Sequence, residues 1–174
     1  MSQTIPAWVD DRLTPVDKLE VHTRGLRHPA VSVFVLDGDR TLIQRRALTK
    51  YHTPGLWANA CCTHPEWGED PAACALRRLH EELGIRGHDL RWRERVEYRA
   101  DVGEGLIEHE CVELFTARTD VRQQLSPDPS EVMEVRWISL ADLQAEVAAT
   151  PEAFAPWLRI YLSGHGGRIF GRAA

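Results

Sequence analysis

Residues 45–85 read RRALTKYHTPGLWANACCTHPEWGEDPAACALRRLHEELGI, and they carry the clearest structural signals in the sequence. Its second half predicts an amphipathic helix. Asp70 suits the N-cap, Pro71 the first helical position, and Gly84 the C-terminal stop. The predicted apolar stripe of this helix consists of Ala72, Leu76, Leu79 and Leu83. The first half holds aromatic residues, prolines and glycines, and therefore predicts a loop with a short strand at 57–62.

Strands are predicted on both sides of this segment. Upstream, an apolar, β-branched run at 30–36 and a partner strand at 41–45 are joined by Asp37-Gly38, a strong hairpin signal. Downstream, further strands are expected at 96–100, 106–117 and 136–138. Ser139 with Asp142 resembles a capping box that opens a helix through about residue 148.

The order of these elements predicts one small α/β or α+β sandwich. A last helix is expected at 151–162, kinked or restarted at Pro156. The chain has 174 residues, a length typical of one domain, so 1–174 is taken as a single domain. Residues 1–20 are expected to form an arm or short helix, and 163–174 a flexible, frayed tail.

Composition narrows the possible functions. The chain has 21 basic and 26 acidic residues, a formal net charge of -5, which argues against a nucleic-acid partner. A membrane-spanning helix needs about 20 apolar residues, and the sequence has no such run, so no membrane partner is expected. The four cysteines form no CxxC pair, which favours reduced thiols in a cytoplasmic protein.

Two glutamates on one predicted strand are expected to lie on its buried face, which is unusual for carboxylates. Because alternate residues of a strand share a face, Glu108 and Glu110 should point the same way as Val112 and Leu114. The apolar pair marks that face as buried, where unpaired carboxylates cost several kcal/mol. A metal ion or cationic partners would remove this cost. Alternatively, the strand end is solvated and both glutamates are exposed.

Histidines supply candidate metal ligands. His22, His28 and His64, with two carboxylates, would suit a divalent ion such as Zn²⁺ or Mn²⁺. The other five histidines, His52 among them, have no obvious companion in the sequence. Spacing alone does not show that the candidates converge, and each histidine can equally be an ordinary surface or core residue.

Cysteines and basic residues complete the candidates. In an extended segment Cys62 shares a face with His64, whereas Cys61 points away and looks structural. A buried cysteine is usually inert, so Cys62 can also be a plain core residue. The basic residues that could bind an anion are Lys18, Arg45, Arg46, Lys50, Arg77 and Arg78. Arg78 can equally form an i,i+4 pair with Glu82.

Together these pieces match one family. The segment 45–85 resembles the type 1 isopentenyl diphosphate isomerases, as do EYRA at 97–100, IEHE at 107–110, EVMEVRW at 131–137 and TPEAFAPW at 150–157. The resemblance runs from about residue 18 to about 162. It implies a Nudix-like α/β/α sandwich with a mixed β-sheet.

The Nudix box of that superfamily is altered here. Its frame places Thr63 at the usual glycine and Arg78 at a glutamate with which Nudix hydrolases bind metal. A positive charge at this position suits holding a diphosphate rather than activating a hydrolytic water. The substitution favours an isomerase over a Nudix-type diphosphohydrolase. A catalytically decayed Nudix-fold binding module is the alternative outside enzymes.

The resemblance also assigns residues by motif. The implied catalytic groups are Cys62, Glu110 and Tyr98. The implied ligands of one divalent metal (Mn²⁺, Zn²⁺ or Mg²⁺) are His22, His28, His64, Glu108 and Glu110. Glu82 is implied to bridge Mg²⁺ to the substrate diphosphate. The implied substrate contacts are Lys18, Arg46, Lys50, Arg78 and Trp157. The loop between His22 and His28 is one residue shorter than in typical family members.

The implied reaction interconverts isopentenyl and dimethylallyl diphosphate in isoprenoid biosynthesis. A proton is added at C4 and another is removed from C2, which is general acid–base work on two faces of the substrate. Cys62 fits one of these roles and Glu110 with Tyr98 the other, and the order of the two remains open. The expected partner is this small-molecule diphosphate, bound by a monomer or homodimer.

Overall fold

The computed structural model describes residues 3–86, 89–120 and 122–171. The described strands are β1 (Thr4–Val9), β2 (Arg12–Asp17), β3 (His28–Asp37), β4 (Arg40–Arg46), β5 (Trp57–Asn59), β6 (Cys61–Thr63), β7 (Leu90–Gly103), β8 (Leu106–Arg118) and β9 (Val132–Ser139). The helices are α1 (Lys18–Arg24), α2 (Pro71–Leu83), α3 (Leu140–Ala149), α4 (Pro156–Gly164) and α5 (Gly166–Phe170), with a 3₁₀ turn at Pro151–Ala153.

A mixed seven-stranded sheet forms the centre of the fold. Its main path runs β5-β4-β3-β8-β7, with β6 paired to β3 and β9 paired to β4. The central pair β3–β8 is parallel, and the other pairs are antiparallel. The predicted hairpin at Asp37-Gly38 is confirmed, because Asp37 pairs with Arg40 across a two-residue turn. The strands β1 and β2 form a separate hairpin.

Each face of the sheet carries its own apolar core. On one face Val31, Val33 and Val35 pack with Leu79 and Leu83 of α2. On the other face Phe34 and Leu114 lie in the core that contains Trp157 and Tyr161 of α4. This arrangement confirms the predicted sandwich with helices on both faces. In the described part of the chain, no helix has the length and apolar character to cross a membrane.

Strand β8 shows the predicted alternation. Val112 and Leu114 are fully buried, and Glu108 and Glu110 on the same face are each only 2% exposed. The alternative of a solvated strand end is therefore wrong. The sheet instead buries two carboxylates on an apolar face, and that placement creates the site described below.

Both ends of the chain differ from expectation. The N-terminal segment forms the β1–β2 hairpin, which turns at Asp10 and Asp11 with positive φ, and α1 begins only at Lys18. The sequence did not predict this hairpin because β2 contains Pro15 and is largely exposed, so it lacks the apolar alternation that indicates a strand. In the expected tail, α5 forms and buries Ile169, while residues 172–174 lie outside the described part.

Helix α2 begins and ends at the predicted residues, but the face that it buries differs from the predicted one. The side chain of Asp70 accepts hydrogen bonds from the backbone N–H groups of Ala72 and Ala73, and Gly84 closes the helix in the left-handed conformation. Leu76, predicted to face the core, is 40% exposed. The small residue Ala75 faces the sheet instead, and its size allows a close approach of the helix.

Gly84 also connects α2 to the segment before β9. A Cβ atom added at Gly84 would lie 2.8 Å from the Cβ of Ser126. The backbone N–H of Ser126 donates to the carbonyl of Leu83, and that of Asp128 donates to the carbonyl of Glu82. These bonds fasten the segment that leads to Glu131 onto the end of α2.

We expect Gly84→Ala to lower the free energy of unfolding by about 2–4 kcal/mol, because a left-handed alanine is strained and its Cβ would clash with Ser126. Gly38→Ala is the matched control. Gly38 also has positive φ, but its added Cβ would meet nothing within 4 Å, so the loss should be about 1–2 kcal/mol. Urea denaturation of both variants measures the difference, and equal losses would exclude a role for the Ser126 contact.

Candidate active site

Four buried side chains from separate elements converge beside β8. They are His22 from α1, His28 from the start of β3, His64 just after β6, and Glu108 from β8, and we call them the histidine cluster. One ligand atom from each lies within 4.8 Å of the others. The fold therefore brings together the three histidines that the sequence identified only as candidates.

The geometry of the histidine cluster suits a divalent metal ion. Glu108 Oε2 lies 3.3 Å from His22 Nε2 and 3.4 Å from His28 Nε2. It is buried and has no hydrogen-bond partner among the described residues. Imidazole nitrogens with carboxylate oxygen form a donor set that binds Zn²⁺ or Mn²⁺ well. A cation would satisfy the buried oxygen without a proton.

Backbone carbonyls orient two of these imidazoles. His22 Nδ1 lies 2.6 Å from the carbonyl oxygen of Lys18, and His28 Nδ1 lies 2.7 Å from that of Leu26. A carbonyl can only accept, so each Nδ1 carries the proton and each Nε2 has a free lone pair. This carbonyl–histidine arrangement is common behind metal-binding histidines.

Glu110 lies beside the histidine cluster, in line with residues of the neighbouring strands. The register pairs Glu110 with His28 on β3 and with Tyr98 on β7. Its Oε1 is 3.1 Å from His64 Nε2, and its Oε2 accepts a 2.6 Å hydrogen bond from the Tyr98 hydroxyl. Glu110 therefore contacts both the cluster and a phenol.

The two carboxyl groups differ in proton affinity. Burial alone would raise the pKa of Glu108, but its close contacts with His22, His28 and His52 hold the pKa well below its ordinary value. Burial, together with the charge of Glu108, raises the pKa of Glu110 well above its ordinary value. Two like charges this close oppose each other, so one carboxyl ionises readily and the other retains a proton.

Adjacent cysteines lie on opposite faces of the sheet, as predicted. Cys62 faces the side of the histidine cluster, and its Cα pairs with that of Ser32 on β3. Cys61 is fully buried on the side of α2, with its Sγ 3.7 Å from Glu82 Oε1. Burial raises the pKa of both thiols. Asn59 fixes this turn with hydrogen bonds to Ser32, Val33 and Cys61.

A two-part pocket leads to these groups. The inner pocket holds about 30 Å³, and its walls include Cys62, His64, Glu108, Glu110, Arg46, His52 and Trp157. The outer pocket holds about 560 Å³ and opens to solvent past Gln3, Asp17, Leu19, Thr49 and Arg77. Lys18, Lys50, Tyr51, Thr63, His64 and Arg78 line both parts, so the pockets are continuous.

The junction of the two pockets is strongly cationic. Lys18, Lys50 and Arg78 all face it. Burial and the charges of Lys50 and Arg78 lower the pKa of Lys18 to about 8. Lysines that repel one another in this way provide a ready site for a multiply charged anion.

A carboxylate occupies part of this cationic junction. Glu131 pairs with Lys50, and its Oε1 lies 3.2 Å from Arg78 Nη2. Arg78 also donates to Glu82 Oε1 at 2.8 Å, so the predicted i,i+4 pair forms as well. Gln44 donates to the other oxygen of Glu82 at 3.0 Å. An incoming anion would therefore compete with Glu131 for both cations.

Most candidate residues from the sequence meet here, and some were missed. Tyr51, His52 and Glu131 join the site although none was nominated. Two nominated arginines do not face the cationic junction: Arg77, at the solvent opening of the outer pocket, pairs with Glu69, and Arg45 donates to the carbonyl of Gly55. The missed residues lie in loops whose placement depends on distant strands, so their local sequence gave no signal.

Comparison with known proteins finds similar sequences along the whole chain. A family model described as "NUDIX domain" matches residues 26–158. The chain is 62% identical over 174 residues to the isopentenyl-diphosphate Delta-isomerase of Dinoroseobacter shibae, covering 100% of this chain and 99% of the relative. It is 56% identical over 168 residues to the Rhodobacter capsulatus enzyme of the same name, covering 97% and 96%.

Solved structures share the fold at much lower identity. DR0079 from Deinococcus radiodurans superposes with a TM-score of 0.72 at 14% identity, covering 94% of this chain and 99% of that one. The MutT NUDIX hydrolase from Burkholderia pseudomallei gives a TM-score of 0.63 at 20% identity, covering 80% and 98%. These similarities establish the architecture alone.

We expect chelator-treated protein to bind one equivalent of Zn²⁺ and His64→Ala to lose most of that affinity, because one of three imidazoles is removed. His109→Ala is the matched control. His109 lies between Glu108 and Glu110 on β8, pairs with Glu97, and points to the opposite face. Competition titration with a metal-binding dye measures both variants. Equal affinity in His64→Ala and His109→Ala would exclude the histidine cluster as the metal site.

Proposed function

Because the chain belongs to the NUDIX family and, within it, to the isopentenyl-diphosphate Delta-isomerases, we propose that the two-part pocket interconverts isopentenyl and dimethylallyl diphosphate. One observation carries the proposal: Cys62, Glu110 and Trp157 line a single inner pocket whose mouth is cationic. The inner part places a thiol and a carboxyl group beside an indole ring, and the mouth suits a diphosphate.

The proposed chemistry needs one proton donor and one proton acceptor. A proton adds to C4 of isopentenyl diphosphate, another leaves C2, and the double bond moves with no net gain or loss of atoms. Cys62 is one proton-transfer group, and Glu110 with its hydrogen-bonded Tyr98 is the other. Burial favours the neutral thiol and, with the charge of Glu108, the neutral Glu110 carboxyl, so either group can be the proton donor. The other group must be deprotonated when it accepts the proton from C2.

We propose that the histidine cluster and Glu110 hold a divalent metal, Zn²⁺, Mn²⁺ or Mg²⁺. When bound, such an ion supplies positive charge that lowers the proton affinity of neighbouring carboxyl groups. The protein contributes the rigid frame. His22 and His28 are fixed by backbone carbonyls, and Glu110 is fixed by the Tyr98 hydroxyl.

The diphosphate is proposed to bind at the cationic junction. Lys18, Lys50 and Arg78 would contact its oxygens, and Arg46 lies deeper on the inner wall. Glu82 is proposed to supply a carboxylate to Mg²⁺, an ion that proteins usually bind through one or two carboxylates plus substrate phosphates. For the diphosphate to bind there, Glu131 must break its ion pairs with Lys50 and Arg78.

Trp157 is proposed to stabilise positive charge on the substrate. Protonating an alkene develops tertiary carbocation character at C3. The Trp157 ring is only 2% exposed and already lies 5.2 Å from the guanidinium carbon of Arg46. A desolvated cation–π contact contributes about 2 kcal/mol. The tight inner pocket also excludes water, which would otherwise trap the cation as an alcohol.

We further propose that the enzyme works in the cytoplasm on this small-molecule diphosphate. All four cysteines are free thiols, which is typical of a reducing compartment. The acidic net charge of -5 makes nucleic acid an unsuitable partner.

The function is tested by incubating the protein with isopentenyl diphosphate, Mg²⁺ and Zn²⁺ and following the mixture by ¹H and ³¹P NMR. We expect the allylic isomer to appear while the diphosphate signals persist. Release of inorganic phosphate or isopentenyl monophosphate would indicate a hydrolase instead. An unchanged substrate would indicate a binding module.

We expect Cys62→Ala to lower kcat by orders of magnitude because it removes one of two proton-transfer groups. Cys61→Ala is the matched control: its thiol lies across the sheet, so kcat should stay within a few-fold of the wild type. Steady-state kinetics of both variants decides the assignment. Comparable losses in the two variants would show that the register argument does not identify the catalytic thiol.

We expect kcat/KM to fall roughly tenfold as the pH rises through about 8, because Lys18 loses its charge there and with it a charge-assisted contact to the diphosphate. Lys18→Arg keeps the positive charge at every accessible pH. This variant should therefore lack the alkaline limb near pH 8. A limb that persists unchanged in Lys18→Arg would assign the titration to another group.

A further inference from the structure

His52 is a buried histidine that has no role in the function proposed above. It lies in the loop between β4 and β5 and is 7% exposed. Its Nε2 is 3.1 Å from Glu108 Oε1, and its ring stacks on His22 with centroids 5.6 Å apart. The side chain therefore contacts the histidine cluster from the side of the loop.

The hydrogen bonds of His52 define its tautomer. The carboxylate oxygen Oε1 of Glu108 can only accept, so His52 Nε2 carries the proton and donates it at 3.1 Å. In a neutral imidazole with its proton on Nε2, the other ring nitrogen, Nδ1, is an acceptor. Nδ1 lies 3.1 Å from the hydroxyl oxygen of Thr53, which donates to it. A chain of two hydrogen bonds thus runs from Thr53 through His52 to Glu108.

This chain separates the two oxygens of Glu108. Oε1 is held by His52, while Oε2 points between His22 and His28 without a hydrogen-bond partner among the described residues. We propose that His52 is a positioning residue that fixes Glu108 so that Oε2 alone is directed at the metal. The inference rests on the proposed metal centre but concerns a residue outside its ligand set.

The backbone at Thr53 supports this assignment. Thr53 has φ of +46°, which is unfavourable for a β-branched residue, and it also precedes Pro54, which restricts the backbone further. The loop is held on both sides of this point: Arg46 Nη2 donates to the carbonyl of His52 at 3.1 Å, and the backbone N–H of Gly55 donates to the carbonyl of Arg46 at 3.0 Å. Strain of this kind persists where the surrounding structure imposes it, and it clusters at functional sites. In this loop the left-handed conformation of Thr53 brings its hydroxyl within hydrogen-bond distance of the His52 ring.

The test compares His52→Leu with His52→Gln. Leucine retains apolar bulk without a donor, whereas the glutamine amide can reach the position of Nε2 and donate to Glu108. With Zn²⁺ alone and a competing chelator, we expect His52→Leu to bind Zn²⁺ about 10- to 100-fold more weakly and His52→Gln to recover most of the affinity. Equal affinity in His52→Leu and the wild type, or equal loss in both variants, would overturn the role as a donor.

A second variant keeps the test decisive if His52→Leu fails to fold. Thr53→Val preserves the β-branched shape and removes only the hydroxyl. We expect its Zn²⁺ affinity to fall several-fold while its thermal midpoint in chelator stays close to that of the wild type. A lowered midpoint with unchanged Zn²⁺ affinity would show that Thr53 acts in folding alone.

Kinetics separate this role from packing against Trp157, whose ring centroid lies 6.0 Å from that of His52. Because His52 also lines the inner pocket, the Zn²⁺ dependence of kcat is compared. Raising Zn²⁺ from limiting to saturating should raise the kcat of His52→Leu by a larger factor than that of the wild type. A kcat of His52→Leu that depends on Zn²⁺ no more than that of the wild type would overturn the inference and assign His52 to the substrate pocket alone. If the wild type binds no Zn²⁺, both the metal centre and this inference fail. If it binds Zn²⁺ and His52→Leu binds it equally well, only the inference fails.

Discussion

Two carboxylates buried on the apolar face of β8 impose the main constraint on this molecule. Removing an ionised carboxylate from water costs several kcal/mol unless charges and hydrogen bonds replace the lost solvation. The structure provides these replacements from several elements, including His52 of the loop between β4 and β5. Imidazoles come from α1, β3 and the segment after β6, and the phenol of Tyr98 comes from β7. Because Glu108 and Glu110 need these partners, each of these elements must lie where its side chain can reach the two carboxyl groups.

The strand register aligns several of these side chains at the same time. His28, Glu110 and Tyr98 lie side by side on three neighbouring strands, so one set of backbone hydrogen bonds aligns a metal ligand, a carboxyl group and a phenol. The same alternation separates Cys61 from Cys62. One thiol lies against Glu82 on the face of α2, and the next faces the inner pocket. Adjacent residues of one short strand can therefore serve a packed core and a reactive site.

The cationic junction of the two pockets is organised by a different principle. Lys50, Arg78 and Lys18 converge where they repel one another, and Glu131 relieves part of that repulsion. Glu131 reaches this place because the segment before it is bonded to the last carbonyls of α2. Arg78 lies between Glu82 and Glu131 and so connects the helix to the cationic junction. The fold thus presents a cation at the position where the frame of the Nudix box has a glutamate.

Local patterns in the sequence determined the features that depend on neighbouring residues. The caps of α2, the Asp37-Gly38 turn, and the shared faces of Cys62 with His64 and of Glu108 with Glu110 follow from backbone periodicity and turn chemistry. The resemblance of the motifs supplied the roles. Only the tertiary structure showed that His22, His28 and His64 meet at one point, because strand pairing between distant segments is not written in local spacing. Tyr51, His52 and Glu131 were missed for the same physical reason: loops are placed by the strands they connect, and their own residues carry no periodic signal.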